Sequence, residues 1–134
     1  MSRYGSRKSF DLEWIESWAR CVNDDRILPV IGRFFNNRFV LGVDETEFLV
    51  EVRDGKIVRI SEGLAPNDLG YDFGLKAPSS AWAKFSQQIP PPMFNDIWAM
   101  AHPLHKQLII VGNQLPFWQN LRALTRMLSL MRQV

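Results

Sequence analysis

The chain has 134 residues, 46% of them hydrophobic, with nine Phe and five Trp; this is enough apolar material for one domain's core and excludes a disordered or low-complexity polypeptide. Sixteen Lys and Arg against fourteen Asp and Glu leave +2, too small a surplus to specify nucleic acid as a partner. A single cysteine, Cys21, allows no internal disulfide, and no CxxC pair or Cys/His spacing offers zinc ligands, so a reducing, cytoplasmic setting without metal or other cofactor is expected.

Residues 1–8 are polar and basic and read as a flexible lead without the apolar core of a signal peptide. Ser9 stands where it can cap a first helix, with Asp11 and Glu13 in the first turn and Ile15, Trp18, Ala19 and Val22 at helical spacing to about Asn23. Ile27, Leu28, Val30 and Ile31 describe a second short helical segment up to Gly32, weakened by Pro29, and residues 9–35 together form an N-terminal helical arm. From Arg38 the period changes to two. Phe39, Leu41 and Val43, then Phe48, Val50 and Val52, predict two strands joined at Asp44 and Glu45; Asp54-Gly55 suits a tight turn into a third strand ending near Ile60. Gly, Pro, Asn and Asp between Ser61 and Gly70 describe a loop, after which Tyr71, Phe73 and Leu75 alternate in a fourth strand, so the sheet reads as mostly a meander.

Pro78-Ser79-Ser80 starts a helix carrying Trp82 and Phe85, with the two serines as caps, and Pro90-Pro91-Pro92 separates it from the next. There Phe94, Ile97, Trp98 and Ala101 sit at i, i+3, i+4 and i+7 until Pro103. Gln107 to Val111 reads as a fifth strand closed by Gly112, and Pro116 falls in the first turn of one long terminal helix. The strand's aliphatic run, Leu108 to Val111, is the longest in the chain and far too short to span a bilayer, which excludes stable membrane insertion while allowing transient contact.

The terminal helix places Phe117, Leu121, Leu124, Leu128 and Met131 along one line and Ala123, Met127, Leu130 and Val134 on the adjacent stripe. That arc is wider than packing on a sheet requires, so part of it is available to a pocket, a partner or a membrane. Met93, Met100, Met127 and Met131 crowd the same half of the sequence, and flexible thioethers suit a pocket that accepts varied apolar shapes. Trp82 and Trp98 are pocket candidates because an indole at a cavity rim has both an apolar wall and a wet edge. The expected ligand-binding set is therefore Trp82, Phe85, Met93, Phe94, Ile97, Trp98, Phe117, Leu121, Leu124, Met127, Leu128 and Met131. All acidic residues lie at or before Asp96, so Lys106, Arg122, Arg126 and Arg132 are unbalanced along the last quarter of the chain. They read as a helix face set beside an acidic neighbour in the fold, with Arg122 and Arg126 alternatively meeting an anionic head group.

The order of these elements resembles the sterol carrier protein type 2 superfamily over roughly residues 36–134. Tyr71-Asp72-Phe73-Gly74-Leu75-Lys76-Ala77 followed by Ala81-Trp82 is similar to that family's alternating strand running into a helix with an aromatic anchor, and Lys106-Gln107-Leu108-Ile109-Ile110-Val111-Gly112 to its last strand before the terminal helix. Asn113, where the family often has an acid, the three prolines at 90–92 and the helical arm depart from it. The resemblance implies a single α+β domain over 1–134: a five-stranded, mostly antiparallel sheet covered by helices. An apolar tunnel between sheet and helices would hold fatty acyl, sterol or isoprenoid lipid for carriage or presentation to a partner enzyme, without catalytic residues.

Two other readings stand beside it. One is a non-catalytic interaction subunit of an enzyme complex, docking through the wide apolar arc; the other is a small acid/base isomerase or hydratase using Asp72, Asp96 and His102. His102 and His105 flank Pro103, which argues against a helical metal pair, and no GxSxG, GxGxxG, Walker or HExxH motif supports hydrolase or nucleotide chemistry. Cys21 shares the apolar arc of its helix and reads as a small buried hydrophobe.

Overall fold

The computed structural model describes residues 10–63, 70–92, 94, 97–101 and 107–134, leaving aside the side chains of 98 and 99. Helix α1 (Leu12–Asp24) starts at Asp11, whose carboxylate accepts the Trp14 N–H at 2.9 Å. The cap is thus supplied two residues after Ser9, which lies outside the described residues. Trp14, Ile15, Trp18 and Val22 form the buried stripe of α1. Helix α2 (Leu28–Ile31) is little more than one turn. Pro29 sits in that first turn, where no donor is needed, and the Ile27 and Leu28 N–H groups close on the Asp25 carboxylate at 3.2 and 2.9 Å.

Five strands follow the alternating pattern: β1 (Arg38–Val43), β2 (Thr46–Arg53), β3 (Lys56–Glu62), β4 (Phe73–Ala77) and β5 (Ile109–Gly112), ordered β3-β2-β1-β4-β5. β1 with β2, β2 with β3 and β4 with β5 pair antiparallel, as a mostly antiparallel sheet requires, but β1 and β4 are parallel. The meander therefore stops at β3, and the chain crosses to the far side of β1 before forming β4.

The register sets Ile60, Val50, Phe39 and Phe73 in one row across the sheet and Phe48, Leu41, Leu75 and Ile110 in the next, all on the face that meets the helices. Phe35, Phe39, Phe73 and Phe117 run through this layer with successive ring centroids 6.4, 5.4 and 5.8 Å apart, the last pair edge-on. The β2–β3 turn has positive φ at both Asp54 (54°) and Gly55 (78°), as its sequence predicts. Glycine is also required there by space. A Cβ on Gly55 would lie 2.8 Å from the carbonyl oxygens of Leu28 and Gly32, so the hairpin fits beneath α2 only without a side chain.

Helix α3 (Ser79–Phe85) carries Trp82 and Phe85, but neither Ser79 nor Ser80 caps it. The Ser79 N–H instead donates at 2.9 Å to Asp44, reached from the β1–β2 turn, and this bond lowers the Asp44 pKa. Helix α4 (Ile97–Ala101) follows Phe94. The terminal segment is not one helix. It divides into α5 (Gln114–Gln119), α6 (Leu121–Ser129) and a 3₁₀ turn (Leu130–Gln133), with the break at Asn120, φ −114° and ψ 20°. There the Asn120 amide donates to the Pro116 carbonyl at 2.9 Å and to Asn37 at 3.3 Å, a local competition with the helical ladder that apolar periodicity does not register. Asn113 caps α5 by accepting the Leu115 N–H. No described helix is long and apolar enough to cross a membrane.

Candidate ligand site between helices and sheet

Of the residues expected to line a pocket, Trp82, Phe85, Phe94, Ile97, Phe117, Leu124, Met127, Leu128 and Met131 are all buried in the layer between helices and sheet, and Leu121 is half-buried against it. Met93 and the side chain of Trp98 lie outside the described residues. Trp82 and Phe85 meet edge-on at 5.8 Å. Over Phe85 the Arg132 guanidinium stacks at 4.6 Å while its Nε donates to the Phe85 carbonyl at 2.9 Å, and the Lys84 ammonium stands 5.0 Å from the Phe94 ring. Two cations thus lie against aromatic rings of the apolar layer.

Indole N–H groups that enter the layer are costly unless paired. Trp18 Nε1 donates to the Met127 carbonyl and Trp82 Nε1 to the Gly42 carbonyl, each at 2.9 Å. The Trp82 ring is therefore a wall with its polar edge already satisfied by β1, and the wet edge inferred from sequence is not needed there. Trp14 differs: its indole N–H is buried with no hydrogen-bond partner among the described residues, an arrangement that costs about 1–3 kcal/mol. Trp14 belongs to α1, a helix that supplies none of the expected ligand-binding residues.

The sheet side was also missing from the sequence-based set. Phe39, Leu41, Phe48, Val50, Phe73 and Leu75 form the floor opposite the helices. Their spacing of two was the available signal, although Val40 and Leu49 on the opposite face are apolar and buried as well, since a strand face with this spacing must meet whatever the helices bury. The surface depressions at Trp14 and Val134 (about 330 Å³), at Asp25 and Arg126 (about 510 Å³) and at Lys76 and Ile109 (about 260 Å³) are lined by none of the expected ligand-binding residues.

Arg126 does not face an anionic head group. It binds Asp25 at 2.5 Å through Nη2 and at 3.3 Å through Nε, which holds the carboxyl below the usual aspartate value and raises the guanidinium's own pKa. This is the acidic neighbour anticipated for the basic C-terminal face; Arg122 remains exposed. Asp72 is likewise engaged in structure. Its carboxylate accepts the Arg38 N–H at 3.0 Å and the Asn37 amide at 2.9 Å, fixing the start of β1, while Asp96, His102 and His105 lie outside the described residues. Cys21 is half-buried at the edge of the core. Among the described residues no three His, Cys, Asp or Glu side chains gather as a metal-binding group.

A sheet ordered β3-β2-β1-β4-β5 whose one face receives the apolar stripes of the surrounding helices is the sterol carrier protein type 2 fold. Among solved structures the chain is similar to sterol carrier protein 2, with TM-score 0.72 and 12% identity over 95% of this chain and 99% of that one. It is also similar to a conserved hypothetical protein of Thermus thermophilus linked by its description to the sterol carrier proteins (TM-score 0.63, 11% identity, 98% of this chain and 93% of that one). A third likeness is to UbiJ-SCP2, a ubiquinone synthesis protein, with TM-score 0.57 and 12% identity over 95% of this chain and 98% of that one. Identities this low make each a likeness of fold. No family model and no curated protein sequence matches the chain.

Proposed function

We propose that the chain, acting as a single domain in the cytoplasm, binds an elongated hydrophobic molecule of the fatty acyl, sterol or isoprenoid class and carries or presents it without chemistry of its own. The observation that supports this reading is the continuous apolar layer between sheet and helices, in a fold shared with sterol carrier protein 2 over nearly the whole chain. The ligand would wedge between the α3, α6 and terminal-turn side chains above and Phe39, Phe73 and Leu75 below. Met100, Met127 and Met131 are the side chains there best able to change rotamer around varied shapes. Burying about twelve methylenes contributes on the order of 10 kcal/mol gross, and association costs of about 4–15 kcal/mol reduce this to a modest net, so micromolar affinity and broad chain-length preference are expected.

Native mass spectrometry of the purified protein, followed by solvent extraction, tests the proposal. A co-purified lipid, or displacement of a long-chain fluorescent probe by free fatty acid or isoprenoid alcohol, supports it. A ligand-free monomer that ignores every long-chain probe refutes it. A second reading is favoured by the likeness to UbiJ-SCP2: a subunit of an enzyme complex that holds its ligand for a partner enzyme. A stable heterocomplex isolated from its native source would distinguish that role from free carriage.

A further inference from the structure

The start of β1 draws several elements to one end of the sheet. Asn37 receives the Asn120 amide from the α5–α6 break, Asp54 N–H donates to Asn36 at 2.9 Å from the β2–β3 turn, and Gly55 N–H reaches the Phe35 carbonyl at 3.2 Å. Around this end the exposed large apolar side chains are Val30 (66% exposed) and Phe34 (77%) from α2 and its following turn, and Leu115 (60%) and Trp118 (42%) from α5. Exposed cations stand among them: Arg33, whose guanidinium lies 4.9 Å over the Phe34 ring, Lys56 beside the β2–β3 turn, and Arg122 at the start of α6. Among the described residues the acids of the same end are Asp54 and Asp24, both exposed, the latter next to Asn23, whose side chain bonds the Ile57 backbone; Glu51 is paired with Arg53, and Asp72 is bound to Asn37 and Arg38.

We propose that this end of the sheet docks on an anionic lipid bilayer, with Phe34, Val30, Leu115 and Trp118 entering the interface and Arg33, Lys56 and Arg122 meeting the head groups. The inference concerns the outer surface and goes beyond the ligand reading above. A protein partner of ordinary affinity needs a continuous complementary patch of about 800 Å² a side. Here the apolar tips stand on separate elements and one of them, Phe34, lies under the Arg33 guanidinium, a pattern that a fluid interface accepts because aromatic rings and arginines sit together at head-group depth. The absence of acids after Asp96 adds to the attraction by keeping α5 and α6 free of negative charge.

The test is co-sedimentation of the full-length purified chain with phosphatidylcholine vesicles, with and without phosphatidylglycerol. The wild type is expected to bind only the phosphatidylglycerol vesicles, less so as salt rises. Arg33→Ala should lower the partition coefficient about fivefold, the ordinary contribution of one surface cation. Phe34→Ser should lower it severalfold, and Val58→Ser, an exposed apolar residue on edge strand β3, should leave it unchanged. Phe34 is too exposed for its loss to unfold the protein, and unchanged melting temperatures verify this. Failure to bind either vesicle, equal binding by Phe34→Ser, or a solution dimer that Phe34→Ser dissolves would each overturn the proposal. Co-purified lipid retained by a protein that ignores vesicles would refute this surface while leaving the ligand reading intact.

Discussion

Replacing Asp25 with Asn separates two roles that the carboxylate performs at once. It accepts the N–H groups that open α2 and it holds Arg126 of α6, with its side chain only 7% exposed. An Asn side-chain oxygen can still accept from the α2 backbone, so Asp25→Asn removes mainly the charge. Arg126 is 36% exposed, so water screens the pair, and the loss is expected to be about 1 kcal/mol. Asp25→Ala removes the cap as well and should cost about 2 kcal/mol. For a domain of this size each kcal/mol corresponds to about 4 °C in melting temperature. Because Arg126 holds the Asp25 carboxyl below its ordinary value of 3.8, the folded protein binds fewer protons there than the unfolded chain. The stabilisation is therefore complete above the unfolded value and is lost as pH falls through the lower, folded one. Thermal melts of wild type, Asp25→Asn, Arg126→Ala and the double variant from pH 7 downward measure all of this. A coupling energy near zero at pH 7, or a margin over Asp25→Asn that persists unchanged in acid, would refute the reasoning.

Trp14→Phe removes a donor that has no acceptor among the described residues, whereas Trp18→Phe takes the Nε1 donor from the Met127 carbonyl, so Trp18→Phe should be the costlier by about 1–2 kcal/mol in urea unfolding. Gly55→Ala and Gly63→Ala share the strain of positive φ, but only at residue 55 would the new Cβ strike backbone. Its melting temperature should consequently fall further, and equal losses would contradict the close approach of the hairpin to α2. Leu124→Trp should reduce displacement of a fluorescent long-chain probe while overpacking costs about 1–3 kcal/mol. Trp18→Ala should cost about 3–5 kcal/mol by leaving a cavity. Matching stability losses in these two variants would remove the support for ligand space near α6.

The strands were readable because alternation is local. Phe39-Leu41-Val43 and Phe48-Val50-Val52 are each buried along one face, and Asp54-Gly55 has the conformation its residue types demand. What joins β4 to β1 in parallel is a choice between two sheet edges, and nothing in Tyr71 to Ala77 encodes which edge is vacant. The same limit explains the caps. Asp44 serves α3 from 35 residues away, and the Asn120 amide that bonds the nearby Pro116 carbonyl is also held by Asn37, 83 residues away, so neither arrangement follows from neighbours alone. The buried apolar layer was legible on its helical side, where Leu124, Met127, Leu128 and Met131 fall on the arc that periodicity identifies. Its floor was overlooked although Phe39 and Phe73 alternate as plainly, because pairing a strand face with a helix face requires the topology. Arg126 was ambiguous for a related reason: a basic residue on a helix is assigned to solvent, ligand or ion pair by a partner 101 residues away.

The Trp18–Met127 bond spans 109 residues and ties the first helix to the last. On a ribosome adding about 5–20 residues per second, roughly 5–20 s pass between the synthesis of that indole and of its acceptor. During that interval the apolar stripe of α1 has neither its α6 carbonyl nor the terminal turn to cover it, and a chaperone has a defined segment to hold. α1 can meet β3 early, through Asn23 and Ile57, but its packing is completed last, so premature chain termination before Met127 should leave Trp18 without its acceptor and more exposed than in the whole domain.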